Sequence, residues 1–112
     1  MIESYAFGRI RINDKDYTSD VIIYPDRVED NWWRREGHHL HFDDLLGIIP
    51  EKPDTIIIGT GRYGLMKVPP DLIDRLKDMG IDVIVQKTGS ACKVYNDTCR
   101  SKKVIAALHL TC

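Results

Sequence analysis

Two short stretches of this 112-residue chain carry the groups from which an anion site is built. Gly59-Thr60-Gly61-Arg62-Tyr63-Gly64 follows the apolar run Ile56-Ile57-Ile58, and Thr88-Gly89-Ser90-Ala91 follows Val83-Ile84-Val85. Glycines let a backbone approach a ligand closely, and the first N–H groups of a helix are unpaired donors at the positive end of its dipole. Arg62 and Lys87 add a cation to each stretch. The predicted ligand-binding set is therefore Gly59, Thr60, Gly61, Arg62, Lys87, Thr88, Gly89 and Ser90, and the ligand is a small anion such as a carboxylate or phosphate. The plainer alternative is a glycine-rich turn followed by ordinary helix capping at Thr88 or Ser90. The first stretch matches GxGxxG, yet dinucleotide binding does not follow. Residues 65–68 separate its last glycine from the helix start at Pro69-Pro70, and the next strand ends in Gln86-Lys87 with no acid for a ribose. If Gly61 is where the backbone meets the anion, Gly61→Val should abolish binding and leave the unliganded fold intact.

Other reactive residue types lack partners at a useful spacing. Cys92 falls in the first turns of a helix, where the dipole favours a thiolate, but no adjacent histidine supplies a base. A small buried residue on the helix stripe is the simpler reading. His38-His39-Leu40-His41, with Asp43 and Asp44, resembles a metal set, but no second ligand pair accompanies it, and no metal or cofactor is expected. His109 lies within an apolar run and reads as a hydrogen-bonded core histidine. No residue is assigned a catalytic role, which favours a non-enzymatic protein. Trp32-Trp33-Arg34-Arg35 suggests binding instead. On a strand, the two indoles point to opposite faces, one toward the core and one toward solvent, and exposed Trp with Arg is characteristic of interaction hot spots.

The elements that must position these groups are legible in the hydropathy pattern. The composition, 43% hydrophobic and 29% charged, is that of one folded domain spanning residues 1–112. The first forty residues read as short antiparallel strands: 5–12, a turn at Asn13-Asp14, Tyr17-Thr18, 21–24, and 28–33. Asp43-Asp44 begins a helix over 43–49, stopped by Pro50. A βαβαβ pattern follows, with buried central strands at 55–60, 81–86 and 103–110 and helices at 70–79 and 89–101. Right-handed crossovers bring the two glycine-containing loops to one edge of a sheet, where α/β folds bind ligands.

Charge, cysteines and hydropathy bound the partners. The net charge of −1 excludes a general nucleic-acid binder, although residues 55–112 carry nine basic and five acidic side chains. No apolar run approaches the ~20 residues of a membrane helix, and no leader pattern precedes the first strand. Cys92 and Cys99 would lie about 10 Å apart on a helix, too far for a disulfide. A cytoplasmic, reduced protein is expected.

The ordered set of segments resembles a known family across nearly the whole chain. The set comprises Asn31-Trp32-Trp33-Arg34-Arg35-Glu36-Gly37, Ile57-Ile58-Gly59-Thr60-Gly61, Val68-Pro69, Gly80-Ile81-Asp82-Val83, Val94-Tyr95-Asn96 and His109-Leu110-Thr111-Cys112. It is similar to the small-domain family of the adipogenesis-associated domain protein and mitochondrial complex I assembly factor 3, which has uncharacterised archaeal and bacterial members. The resemblance implies an α/β, three-layer fold: a central mixed sheet, helices on its faces, and a small N-terminal β layer. It supplies no catalytic motif to transfer. The leading expectation is a protein-interaction or assembly-type module, with self-association or a protein partner, no nucleic acid and no membrane. The alternative is a small-anion or metabolite-binding protein, or an enzyme, using the strand-end loops.

Overall fold

The computed structural model describes all 112 residues. The chain forms β1 (Ile2–Ala6), β2 (Arg9–Ile12), β3 (Lys15–Tyr17), β4 (Val21–Ile23), β5 (Val28–Glu29), β6 (Thr55–Thr60), α1 (Pro70–Asp78), β7 (Asp82–Gln86), α2 (Thr88–Thr98) and β8 (Val104–His109). Strands β1, β2 and β3 make a small antiparallel sheet; the other five form a mixed sheet in the order β5-β4-β8-β6-β7. β6 is parallel to both β7 and β8, whereas β4 runs antiparallel to β8.

Alternation sends the apolar residues of the central strands to two cores. Ile56, Ile58, Ile105, Ala107 and Ile22 pack with Leu72 and Leu76 of α1 and with Trp32, Leu40, Leu45 and Ile48. Ile57, Ala106, Leu108, Val21 and Ile23 pack with Ala91, Cys92 and Tyr95 of α2 and with Ile2, Ile10 and Ile12 of the small sheet. The layers are thus α1 with the 31–51 segment, the five-stranded sheet, and α2 beside the small sheet. α1 begins at Pro70, whose missing N–H costs nothing at a first helical position, and it is terminated by Gly80 at φ +81°.

Four expectations about elements change. Residues 5–12 are not one strand, because Gly8 at φ +76° turns the chain between β1 and β2. The antiparallel set is divided, β1–β3 forming their own sheet while β4 and β5 join the main one. β5 ends at Glu29, so Trp32 and Trp33 lie in a loop. In place of a helix over 43–49 there are two 3-10 turns, Phe42–Leu45 and Ile49–Glu51. The central strands and the two later helices fall where expected, except that β7 is a half-exposed edge and α2 stops at Thr98.

Candidate functional site

The carboxyl ends of β6 and β8 lie side by side, with Thr60 paired to His109. Because β4 is antiparallel to β8 and Val21 opposes Leu108, Asp20 arrives at this same edge. There the structure assembles a buried polar network. Asp20 Oδ2 lies 2.8 Å from His109 Nδ1 and 2.8 Å from Arg34 Nη1, and Asp20 Oδ1 accepts the Leu110 N–H at 2.7 Å. The Arg34 side chain is 5% exposed and that of His109 is 7% exposed. Arg34 Nη2 is also 3.0 Å from His109 Nδ1. That nitrogen cannot both donate to Asp20 and accept from Arg34; the carboxylate is the stronger acceptor, so Nδ1 carries a proton.

Burial disfavours the charge on Asp20, but the hydrogen bonds from His109, the Leu110 N–H and Arg34 outweigh it. Its carboxyl titrates below the ordinary range. Arg34 also donates to Gly37 O at 3.2 Å, and its guanidinium stacks over Trp32 at 4.6 Å. The His38 ring contacts that of His109 edge-on, with centroids 5.8 Å apart. Buried His109 Nε2 and Arg34 Nε have no hydrogen-bond partner, and Arg34 Nη1 meets Asp20 as an ion pair without hydrogen-bond geometry. An Asp–His pair with a free Nε2 is the orienting half of a general base. Here no Ser, Thr or Cys hydroxyl or thiol bonds to that nitrogen, and the clefts of the molecule are lined by other residues. The network ties the loop after β5 to the ends of β4 and β8.

The glycine-containing loops converge at the same edge, as the crossover argument required, and much of their hydrogen-bonding capacity is spent internally. Gly61 N–H donates to Thr88 Oγ1 at 2.9 Å, and Thr88 Oγ1 donates to His109 O at 2.5 Å. Arg62 N–H donates to Thr111 O at 2.6 Å and Thr88 N–H to Gly61 O at 3.1 Å. Thr60 Oγ1 donates to Gln86 O at 3.1 Å. Thr88, wholly buried, does not cap α2; it is the pin between β6 and β8. Gly59 is packed so closely that a Cβ would fall 2.8 Å from Leu108 Cδ2 and Thr88 Oγ1. At Gly61, φ is +104° and a Cβ would lie 2.5 Å from the Cys112 carbonyl. The expectation that Gly61→Val spares the fold is therefore corrected: the substitution strikes backbone. Arg62, Lys87, Gly89 and Ser90 remain exposed around this edge.

The tryptophan segment divides in an informative way. Trp32 is buried and its indole N–H donates to Asp44 O at 3.1 Å, whereas Trp33 is 76% exposed. Arg34 is drawn inward to Asp20, while Arg35 is exposed and pairs with Asp43 at 2.7 Å. The opposite placement of the indoles arises from anchors on either side of Trp33, not from strand alternation. The His39 and His41 rings lie 4.8 Å apart and His41 Nε2 meets Glu36 at 2.6 Å, without a gathered set of three metal-ligating side chains. Burial pushes the Cys92 thiol up to about 12, overriding the helix dipole, so Cys92 is held as a neutral core residue.

Asp20 was absent from the sequence-derived sets, and His109 was read only as a core histidine. The available signal was weak: an aspartate just before an apolar strand, and a histidine inside one. Only the topology shows that they meet.

A family description, protein of unknown function (DUF498/DUF598), matches residues 2–109. The chain belongs to that family. A conserved hypothetical protein from Pyrococcus horikoshii is 29% identical, with a TM-score of 0.85 over 100% of this chain and 99% of that one. A Bordetella parapertussis protein is 22% identical with a TM-score of 0.81, covering 98% of this chain and 94% of that one. A Bordetella pertussis protein described as a Mth938-like domain is 18% identical with a TM-score of 0.68, covering 98% and 85%. The latter two show the shared fold alone. The family resemblance and the three-layer fold it implied are thus borne out, and no helix is long and apolar enough to cross a membrane.

Proposed function

We propose that this domain is a protein-interaction module of the cytoplasm whose primary anchor is Trp33. The observation that carries the reading is an exposed indole on a loop that is itself pinned. Trp33 is 76% exposed, yet its neighbours Trp32 and Arg34 are buried and bonded to Asp44 and Asp20. A large aromatic side chain held in place by its backbone loses little further freedom on binding, which is the property of a hot-spot residue. The surroundings support the reading. The loop bearing Phe7 is tied to Leu110 O through the Gly8 N–H, and Leu65 is tied to Cys112 O. Phe7, Tyr63 and Leu65 are all at least half exposed, and the Phe7 and Tyr63 rings lie 6.2 Å apart. Apolar side chains are thereby concentrated on loops at one edge of the sheet, a pattern typical of interaction surfaces.

The test is comparative capture. Wild-type protein and Trp33→Ala are immobilised and exposed to cytosol of the source organism, and bound proteins are identified by mass spectrometry. One partner retained by the wild type and lost by Trp33→Ala, at equal thermal stability, is the expected result. A partner set unchanged by Trp33→Ala overturns the reading.

A further inference from the structure

The two edges of the five-stranded sheet are treated very differently. β5 is only two residues long, and Pro25, Asp26, Arg27 and Asp30 surround it, all devices that keep an edge from pairing further. β7 runs for five residues with no proline, lysine or bulge, and its centre is Val83-Ile84-Val85. All three valine and isoleucine side chains are half exposed. Val83 and Val85 border the core under α1, and Ile84 borders the core under α2. Asp82 N–H donates toward the β6 side, to Asp54 O at 3.0 Å, so Asp82, Ile84 and Gln86 direct their backbone groups at β6. By alternation, Val83 and Val85 direct theirs outward. Neither amide donates to any turn, loop or side chain.

We propose that the open edge of β7 is the docking site for a second copy of this chain, joined by antiparallel pairing about a two-fold axis through Ile84. The strand is self-complementary in that register. Val83 of each copy faces Val85 of the other as a hydrogen-bonded pair, giving four new backbone bonds, and Ile84 faces Ile84 as the close, non-bonded pair at the axis. Asp82 then faces the neutral Gln86 of the second copy on the same face of the joined sheet, so no like charges meet across the contact. Both faces of the joined strands continue the existing cores, and the product is a ten-stranded sheet. This contact uses a different edge from the one that displays Trp33.

Sedimentation equilibrium combined with amide exchange tests the proposal. The wild-type chain should sediment as a dimer at high protein concentration, and the Val83 and Val85 amides should become protected in step with dimer formation. Val85→Pro removes one outward N–H per copy without touching the β6 ladder, and should weaken association by about tenfold or more. Because proline in a strand can also unfold it, a change of charge provides a second arm. Gln86→Asp, at an exposed position, sets a like charge opposite Asp82 of the second copy and should weaken the dimer, whereas Gln86→Lys should strengthen it. Trp33→Ala should leave association unchanged, which separates this contact from the partner surface. A chain that stays monomeric at high concentration overturns the proposal. So does a dimer in which the Val83 and Val85 amides exchange freely, or one indifferent to Gln86→Asp.

Discussion

Asp20 is the residue on which the candidate edge depends, because it is the only anion among Arg34, His109 and the Leu110 N–H. Removing one partner of a buried ion pair strands the other, a loss of about 3–5 kcal/mol where burial is near complete. Asp20→Asn should therefore destabilise the protein by about that amount at neutral pH, measured by urea unfolding. The sign of the pH dependence follows from the lowered carboxyl of Asp20. A group depressed in the native state contributes its full stability above its unfolded value, near ~4, and loses it as pH falls through the lower native value. The difference between wild type and Asp20→Asn should hold from pH 7 to about 5 and shrink in stronger acid. A difference that does not shrink there would mean the carboxylate charge is not what is lost. Little of this was legible in the sequence. Arg34 lies 75 residues from His109, and Asp20 lies 89 residues from it, so no local spacing could join them. The basic residue beside Trp33 that looked like part of a binding surface is spent on the interior.

At the scale of elements, legibility followed burial. β6 and β8 are covered on both faces and appear in the sequence as nearly unbroken apolar runs, which is why their limits were read almost to the residue. The 43–49 segment misled because its acidic start and apolar spacing suit a helix. Gly47 and Pro50 leave room only for two tight turns, which still bury Leu45 and Ile48. The strand-end loops were correctly brought together by handedness, but their amides were claimed by Thr88 and by residues 111–112, a choice that only tertiary packing makes. Thr88 supplies the corresponding prediction. Thr88→Val preserves shape but leaves the Gly61 N–H and the His109 carbonyl unpaired in the interior. Each such group costs about 1–3 kcal/mol, so a loss of about 2–4 kcal/mol is expected in thermal unfolding. Thr88→Ser, which keeps the hydroxyl, should recover most of it. A large loss in Thr88→Ser with little in Thr88→Val would assign the role of Thr88 to its methyl group.

Across the whole molecule, the small sheet and α2 share one layer, and a single side chain fastens them. Asn96 of α2 accepts the Ile2 N–H on Oδ1 at 2.8 Å and donates through Nδ2 to the Ile2 carbonyl at 2.8 Å, behaving as one rung of a β-ladder. This clamp closes the edge of β1, while Ile2, Ile10 and Ile12 reach across to Ala91, Cys92 and Tyr95. No β-ladder joins the small sheet to the five-stranded one; beyond side-chain packing, the Gly8 N–H and the Tyr5 hydroxyl reach only the Leu110 carbonyl just past β8. It is therefore the part of the molecule best able to open by itself, as local unfolding draws on regions with the fewest shared contacts. Asn96→Ala leaves both backbone groups of Ile2 unpaired at a half-buried site, a loss of about 1–3 kcal/mol. The loss should not spread evenly. Amides of β1 and β2 should exchange about tenfold faster or more, while those of β6 and β8 respond only through the smaller change in global stability. Native-state hydrogen exchange resolves the two cases. If every strand gains exchange by the same factor, the small sheet unfolds only with the whole domain, and Asn96 is one more core contact. If β1 and β2 alone accelerate, the N-terminal layer is a separately opening unit, and its opening breaks the Gly8 and Tyr5 bonds to the Leu110 carbonyl.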